Sequence, residues 1–151
     1  MKKFARSILG VTLLEIMLVL AIAAMIIVMS VRYYQSATAN QQANAILQMI
    51  ETVTANADGL AQGTGSYSAA GVSTATLQPM MPNDSFTTPW GGSITVAATG
   101  SSTYTVDISV MPIAVCGQIK ARLAGNPKYM GVTNNACTSV TDFTYTYDVQ
   151  N

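Results

Sequence analysis

The first strong pattern along the chain is a block of apolar residues rather than an alternation. From Val11 to Val31 the sequence runs 21 residues with Glu15 as its only charge. As a helix that run extends about 31 Å, close to the roughly 30 Å hydrocarbon core of a bilayer. From Ala39 the pattern changes. Ala39, Ala43, Ile46, Ile50, Val53, Ala57 and Leu60 recur at steps of four and three, with Asn40, Gln41, Asn44, Gln48, Glu51 and Asn56 between them. That spacing predicts an amphipathic helix with one stripe turned to a core. No proline interrupts Val11 to Leu60, so one helix of about 50 residues and about 75 Å is expected, ending near Gly59 and Gly63. A coiled coil explains the same spacing, but its first positions are alanines and the seam lasts only three heptads. Packing on a sheet of the same chain is the favoured reading.

Ala61 to Ser85 is rich in Gly, Ser, Thr and Ala, with Pro79 and Pro82 around Met80-Met81, and reads as a long surface connection. Gly63-Thr64-Gly65 does not read as a phosphate loop, because it ends a helix rather than opening one. After Pro89-Trp90-Gly91-Gly92, Ile94 and Val96 alternate with Thr95. A turn at Gly100-Ser101-Ser102 then leads to Tyr104, Val106, Ile108 and Val110 on one face, a hairpin. Pro112 closes it. Ile113 to Leu123 suits a short helix with Val115, Ile119 and Leu123 inward, stopped by Gly125-Asn126-Pro127. Phe143, Tyr145, Tyr147 and Val149 alternate with Thr144, Thr146 and Asp148 as a last strand. The expected fold class is α+β: a long N-terminal helix on an antiparallel sheet sealed by the C-terminal strand.

Composition narrows the chemistry. The chain has 151 residues, seven basic and seven acidic side chains and no histidine, and only 9% of it is charged. Soluble domains average about 25% charged residues. One domain core of ordinary size is available. Without histidine, Ser-His-Asp and Cys-His catalysis, His metal sites and His pH switches are excluded. Two cysteines cannot make a four-thiolate zinc or iron-sulfur site without other ligands. Zero net charge argues against a large nucleic-acid footprint. What remains is a binding or structural protein, or an unusual carboxylate enzyme, and strong nucleic-acid binding is not expected.

Lys2, Lys3 and Arg6 precede the apolar run, so the N-terminus is expected in the cytoplasm and the body outside. A secretory signal peptide has a shorter apolar region of about 7 to 15 residues and a small-x-small cleavage site. Here Arg32-Tyr33-Tyr34 follows instead. A plain anchor leaves Glu15 unexplained, because a carboxylate deep in the membrane costs roughly 2.5 to 3.5 kcal/mol. One local account is that Thr12-Leu13-Leu14-Glu15 fits the S/T-x-x-E capping box of a helix start.

A second account starts from Gly10-Val11-Thr12-Leu13-Leu14-Glu15, set between a short basic leader and a long apolar helix, which resembles the processing site of type IV prepilins. The resemblance implies that a prepilin peptidase cuts after Gly10 and methylates the new N-terminal amine on Val11. It also implies that Glu15 neutralises the amine of a neighbouring subunit as helices bundle into a filament. Many members begin the mature chain with Phe rather than Val, and members of the other large subclass carry proline where Arg32 stands. Both departures look like b-type pilins, although the ten-residue leader is shorter than theirs usually is. Tyr33-Tyr34-Gln35-Ser36-Ala37 and Pro89-Trp90-Gly91-Gly92 look like bundle-forming and conjugative thin pilins.

On the exported side, oxidising conditions favour a bond between Cys116 and Cys137, the alternative being two buried free thiols. Closing about 22 residues stabilises by about 3 kcal/mol on the chain-entropy model. In the family such a bond bounds a variable surface region, which implies that Gly117 to Ala136 faces partners. Lys120, Arg122 and Lys128 there form either a small basic patch or the solvated face of a helix.

The organisation expected from all this is a cleaved leader over 1–10, a membrane or filament-core helix over 11–36, an amphipathic helix over 37–61 and a head over 62–151. The resemblance implies a structural subunit of a pilus, not an enzyme, with no catalytic residue, no metal and no cofactor, homopolymeric, handled in the bacterial inner membrane by pilus assembly machinery and displayed at the cell surface for adhesion, motility or DNA transfer. A host or recipient-cell surface ligand is a further expected partner. Two alternatives stand beside it: a minor pilin or type II secretion pseudopilin, and, in another class, a membrane-tethered exported binding module that never polymerises.

Overall fold

The computed structural model describes residues 12–82 and 86–151; Gly10 and Val11, the expected processing site, lie outside the described residues. Helix α1 spans Leu13–Thr64, followed by a one-turn helix α2 (Thr74–Leu77) and a 3-10 turn at Gln78–Met80. Strands β1 (Ile94–Ala98) and β2 (Thr103–Met111) form the expected hairpin. Helix α3 (Ile113–Leu123), β3 (Tyr129–Met130), a 3-10 turn at Val132–Asn134 and β4 (Thr141–Asp148) complete the chain. It divides after Ala37 into two units, α1 contributing its first half to one and its second half to the other.

The second unit is α+β. Its four strands are antiparallel in the order β1-β2-β4-β3. Ala39, Ala43, Ile46, Ile50, Val53 and Ala57, the stripe of α1, share one core with Ile94 and Val96 of β1, Tyr104, Val106, Ile108 and Met111 of β2, and Phe143, Tyr145 and Tyr147 of β4. Leu60, the last residue of the stripe, is half-buried against this core. Helix α3 turns Val115, Cys116, Ile119 and Leu123 inward as its spacing requires. Helix α1 ends at Gly65, whose φ of +71° is the left-handed geometry that glycine adopts without strain and that turns the chain out of the helix.

Four expectations are corrected here. The C-terminal strand does not seal the sheet: β4 lies inside it, between β2 and the two-residue β3. Strand β3 is too short to show an alternation, so no periodic signal marks it. Val149 follows the end of β4 and is exposed.

Val110 is the second strand residue out of place. The pairing of β2 with β4 slips between Ile108 and Met111, a bulge that puts Met111 in the core and leaves Val110 55% exposed. Its φ is +56°, a strained value for a β-branched residue that costs about 1 to 3 kcal/mol. Neighbours hold the bulge. The Val110 N–H donates to Asp142 Oδ1 (3.0 Å), Trp90 Nε1 donates to the Ser109 carbonyl (3.2 Å), and the Ser109 N–H donates to the Ser93 carbonyl (2.9 Å). Gly92 packs so closely here that a Cβ on it would stand 2.4 Å from the Ser109 carbonyl oxygen.

The stretch from Ala61 is not simply a surface connection. Tyr67, Val72, Leu77 and Met81 are buried in the core, and a capping box joins Ser73 and Thr76 at the start of α2. The same stretch covers the outer edge of β1. The Ala98 N–H donates to the Val72 carbonyl (3.0 Å) and the Val96 N–H to Thr74 Oγ1 (2.8 Å), while beyond it the Ile94 N–H reaches the Phe86 carbonyl (2.8 Å).

Candidate functional site

The N-terminal half of α1 is built from residues that a water-soluble helix would not tolerate. From Thr12 through Ser36 every residue is exposed, including Leu13 at 78% and Val31 at 49%, and the mean hydropathy of its most apolar 18-residue window is 2.7. The helix is long and apolar enough to cross a membrane. At its start Thr12 accepts the Glu15 N–H at Oγ1 (3.3 Å) and, through its carbonyl, the N–H groups of Glu15 (3.0 Å) and Ile16 (3.2 Å). The hydrogen bond to the cap thus comes from the Glu15 backbone. Its carboxylate is the acid of the first turn, where the helix dipole favours negative charge. Arg32, Tyr33 and Tyr34 close the apolar stretch, all exposed.

In the other unit, Cys116 of α3 and Cys137 are joined by a disulfide with their Cα atoms 5.6 Å apart. Two side chains fasten the same loop. Lys120 Nζ donates to the carbonyls of Thr133 (2.9 Å) and Asn135 (2.6 Å). Asn135 Nδ2 donates to the carbonyls of Val132 (3.1 Å) and Thr144 (2.9 Å), and its Oδ1 accepts the Thr144 N–H (3.0 Å). The segment Gly117 to Ala136 is therefore not uniformly exposed. Ile119, Leu123 and Val132 are core residues, and the surface between the cysteines is carried by Ala121-Arg122, Ala124 to Pro127 and the flanks of Val132. Of the three cations, Lys120 is spent on the loop, and Arg122, itself exposed, donates through Nη1 to Asn44 Oδ1 of α1 (2.7 Å).

Sequence reasoning put Tyr104, Tyr145 and Tyr147 on strand faces but missed that Tyr104 and Tyr147 gather with Tyr67 in a cluster beneath the end of α1, because its members lie far apart in the chain. Tyr104 stacks on Tyr147 (5.1 Å between centroids) and meets Tyr67 edge-on (5.2 Å). The Tyr104 hydroxyl donates to Thr54 Oγ1 (3.0 Å) and the Tyr67 hydroxyl to Asp58 Oδ1. Burial pushes the phenols of Tyr67, Tyr104, Tyr145 and Tyr147 upward, with the Asp58 carboxylate adding to the rise at Tyr67, Tyr104 and Tyr147. On the sheet's outer face, burial raises the Asp107 carboxyl; nearby Asp142 raises it further, and a hydrogen bond with Thr144 opposes both. Among the described residues no group of three or more Cys, Asp or Glu side chains is gathered where a metal could be held.

No family model matches the sequence, and neither a curated protein nor a solved structure matches it.

Proposed function

We propose that the chain is the precursor of a type IV pilin-class structural subunit of the b-type, which polymerises through its N-terminal helix into a surface filament and carries out no catalysis. The observation that carries the reading is the contrast between the two halves of α1. From Thr38 the helix has a complete core to cover its stripe, whereas from Thr12 to Ser36 it offers water an apolar surface on every side. Such a surface needs an external cover at all times. A bilayer supplies one before assembly and neighbouring helices supply another afterwards, and the prepilin-like Gly10-Val11 junction and Glu15 account for the passage between them.

In this reading the second unit is exported, consistent with its disulfide, and the inner membrane holds the subunit until a peptidase removes residues 1–10. Apolar helices leave the bilayer to pack together, and Glu15 meets the Val11 amine of a neighbour. Specificity comes partly from the penalty of leaving either charge unpaired. Homopolymer contacts, the peptidase and the assembly machinery are the partners, with a cell-surface ligand on the exported unit.

Mass spectrometry of the protein sheared from cells tests this: the expected first residue is Val11 with one added methyl, and Gly10 replaced by a bulky residue keeps the leader and stops assembly. An intact leader in assembled fibres overturns the reading. A minor pilin or pseudopilin is processed alike but is scarce in purified filaments. A tethered binding module is absent from them.

A further inference from the structure

Three consecutive residues close the apolar half of α1, and their angular spacing matters. Neighbours on an α-helix point about 100° apart, so Arg32, Tyr33 and Tyr34 spread over about 200° of the helix circumference instead of lining one face. All three are exposed, Tyr33 at 79% and Tyr34 at 69%. A helix docked in a protein groove is read along a stripe at i, i+3, i+4 and i+7. A girdle matches a boundary that encircles the helix.

The lipid–water interface is such a boundary. Tyrosine rings settle there with the ring in the apolar zone and the hydroxyl among headgroups, and arginine lays its stem on apolar surface while its planar fork binds phosphate. The spacing along the axis agrees. Leu13 to Val31 covers about 28 Å of helix, close to the hydrocarbon thickness, with Thr12 before it and Gln35-Ser36 beyond the girdle.

We propose that Arg32-Tyr33-Tyr34 is a phospholipid-headgroup collar that fixes the depth of α1 at the outer leaflet of the bilayer. The Arg32 guanidinium takes a lipid phosphate and the two phenols bond ester or phosphate oxygens. The collar rests on the reading of α1 as membrane-inserted before assembly, and the experiment separates the two.

The full chain, disulfide closed, carries one added cysteine with a nitroxide label at Met25, Val28, Val31, Gln35 or Ala37. It is placed in vesicles of phosphatidylethanolamine and phosphatidylglycerol, and each label's collisions with oxygen, which favours lipid, are compared with those of a nickel chelate, which stays in water. The expected crossover lies between Val31 and Gln35. Replacing the collar, Arg32→Leu with Tyr33→Leu and Tyr34→Leu, moves the crossover toward Ala37 by about one helical turn, about 5 Å. Tyr33→Trp with Tyr34→Trp leaves it in place. A crossover that does not move in the leucine variant, with Met25 still in lipid, overturns the collar alone. Nickel access at Met25 overturns the inserted helix and the collar together. If Gln35 is shielded from both reagents increasingly as protein is concentrated in the vesicle, a protein surface covers the girdle and the lipid collar is wrong.

Discussion

Replacing Glu15 with glutamine separates the two roles that a carboxylate at the start of α1 can play. The observed cap is made by the Glu15 backbone N–H on Thr12 Oγ1, a bond that glutamine at the same position keeps. What the neutral side chain loses locally is the charge–dipole attraction of the first turn, about 0.3 to 1 kcal/mol. Membrane insertion should not suffer, because an amide is easier to bury than a carboxylate. In a filament the change is larger. An ammonium left in a packed helix bundle without its counter-charge costs about 3 to 5 kcal/mol. At 1.4 kcal/mol per decade that weakens each subunit addition by about 140-fold to about 3,700-fold. Comparing membrane and sheared-fibre fractions by immunoblot should therefore show normal insertion, normal leader removal and almost no fibre for Glu15→Gln. Co-expression with wild type should restore part of the yield, since each subunit presents amine and carboxylate to different neighbours. A wild-type fibre yield from Glu15→Gln alone refutes charge pairing as the mechanism of register, while leaving helix packing as the polymerising force.

Other expectations concern the second unit. Cys116→Ser with Cys137→Ser should lower its stability by about 3 kcal/mol and raise its protease sensitivity without affecting insertion; peptide mapping without reductant that finds free thiols in the native protein would refute the bond. Tyr67, Tyr104, Tyr145 and Tyr147 have phenols raised above the ordinary value of 10.0. The unfolded chain thus loses protons first, and stability, full below pH 10, should fall as pH rises above it, by up to about 1.4 kcal/mol per pH unit for each tyrosine held neutral. Urea midpoints taken across that range check this, and a flat profile counts against burial as the cause. Gly92→Ala should cost about 1 to 3 kcal/mol in a thermal melt, because its Cβ meets the Ser109 carbonyl and the bulge beside it must shift; an unchanged melting temperature would mean that the bulge is not rigid.

Regular periodicity carried most of the fold into the sequence. The stripe from Ala39 to Ala57, the hairpin through Ile108 and the inward face of α3 each repeat long enough to be read, and each is found in the core. What failed to show is local. Val110 continues an alternation that a bulge interrupts, and the bulge depends on Trp90, Asp142 and Ser93, none of them adjacent in sequence. Tyr67, Val72 and Leu77 are spaced five apart among small and polar residues, a rhythm of neither helix nor strand. At the candidate site, the exposed apolar helix and the cysteine pair were legible, whereas the Lys120 and Asn135 fastenings were not, because a side chain bonding to distant carbonyls leaves no spacing to find.

The covered flank of β1 has a consequence for any chain that collects into fibres. A strand with open amides is a template on which an identical strand can stack, and crowding of many copies makes such stacking into sheet aggregates the competing outcome. Here Val72, Thr74 and Phe86 occupy the amides of Ala98, Val96 and Ile94, and the opposite border of the sheet is only the two residues Tyr129–Met130. The first border offers no growing face and the second only a very short one. In the filament proposed above, ordered growth would thereby be left to the helix, and the second units could crowd along the fibre with little strand edge on which to fuse into an amyloid.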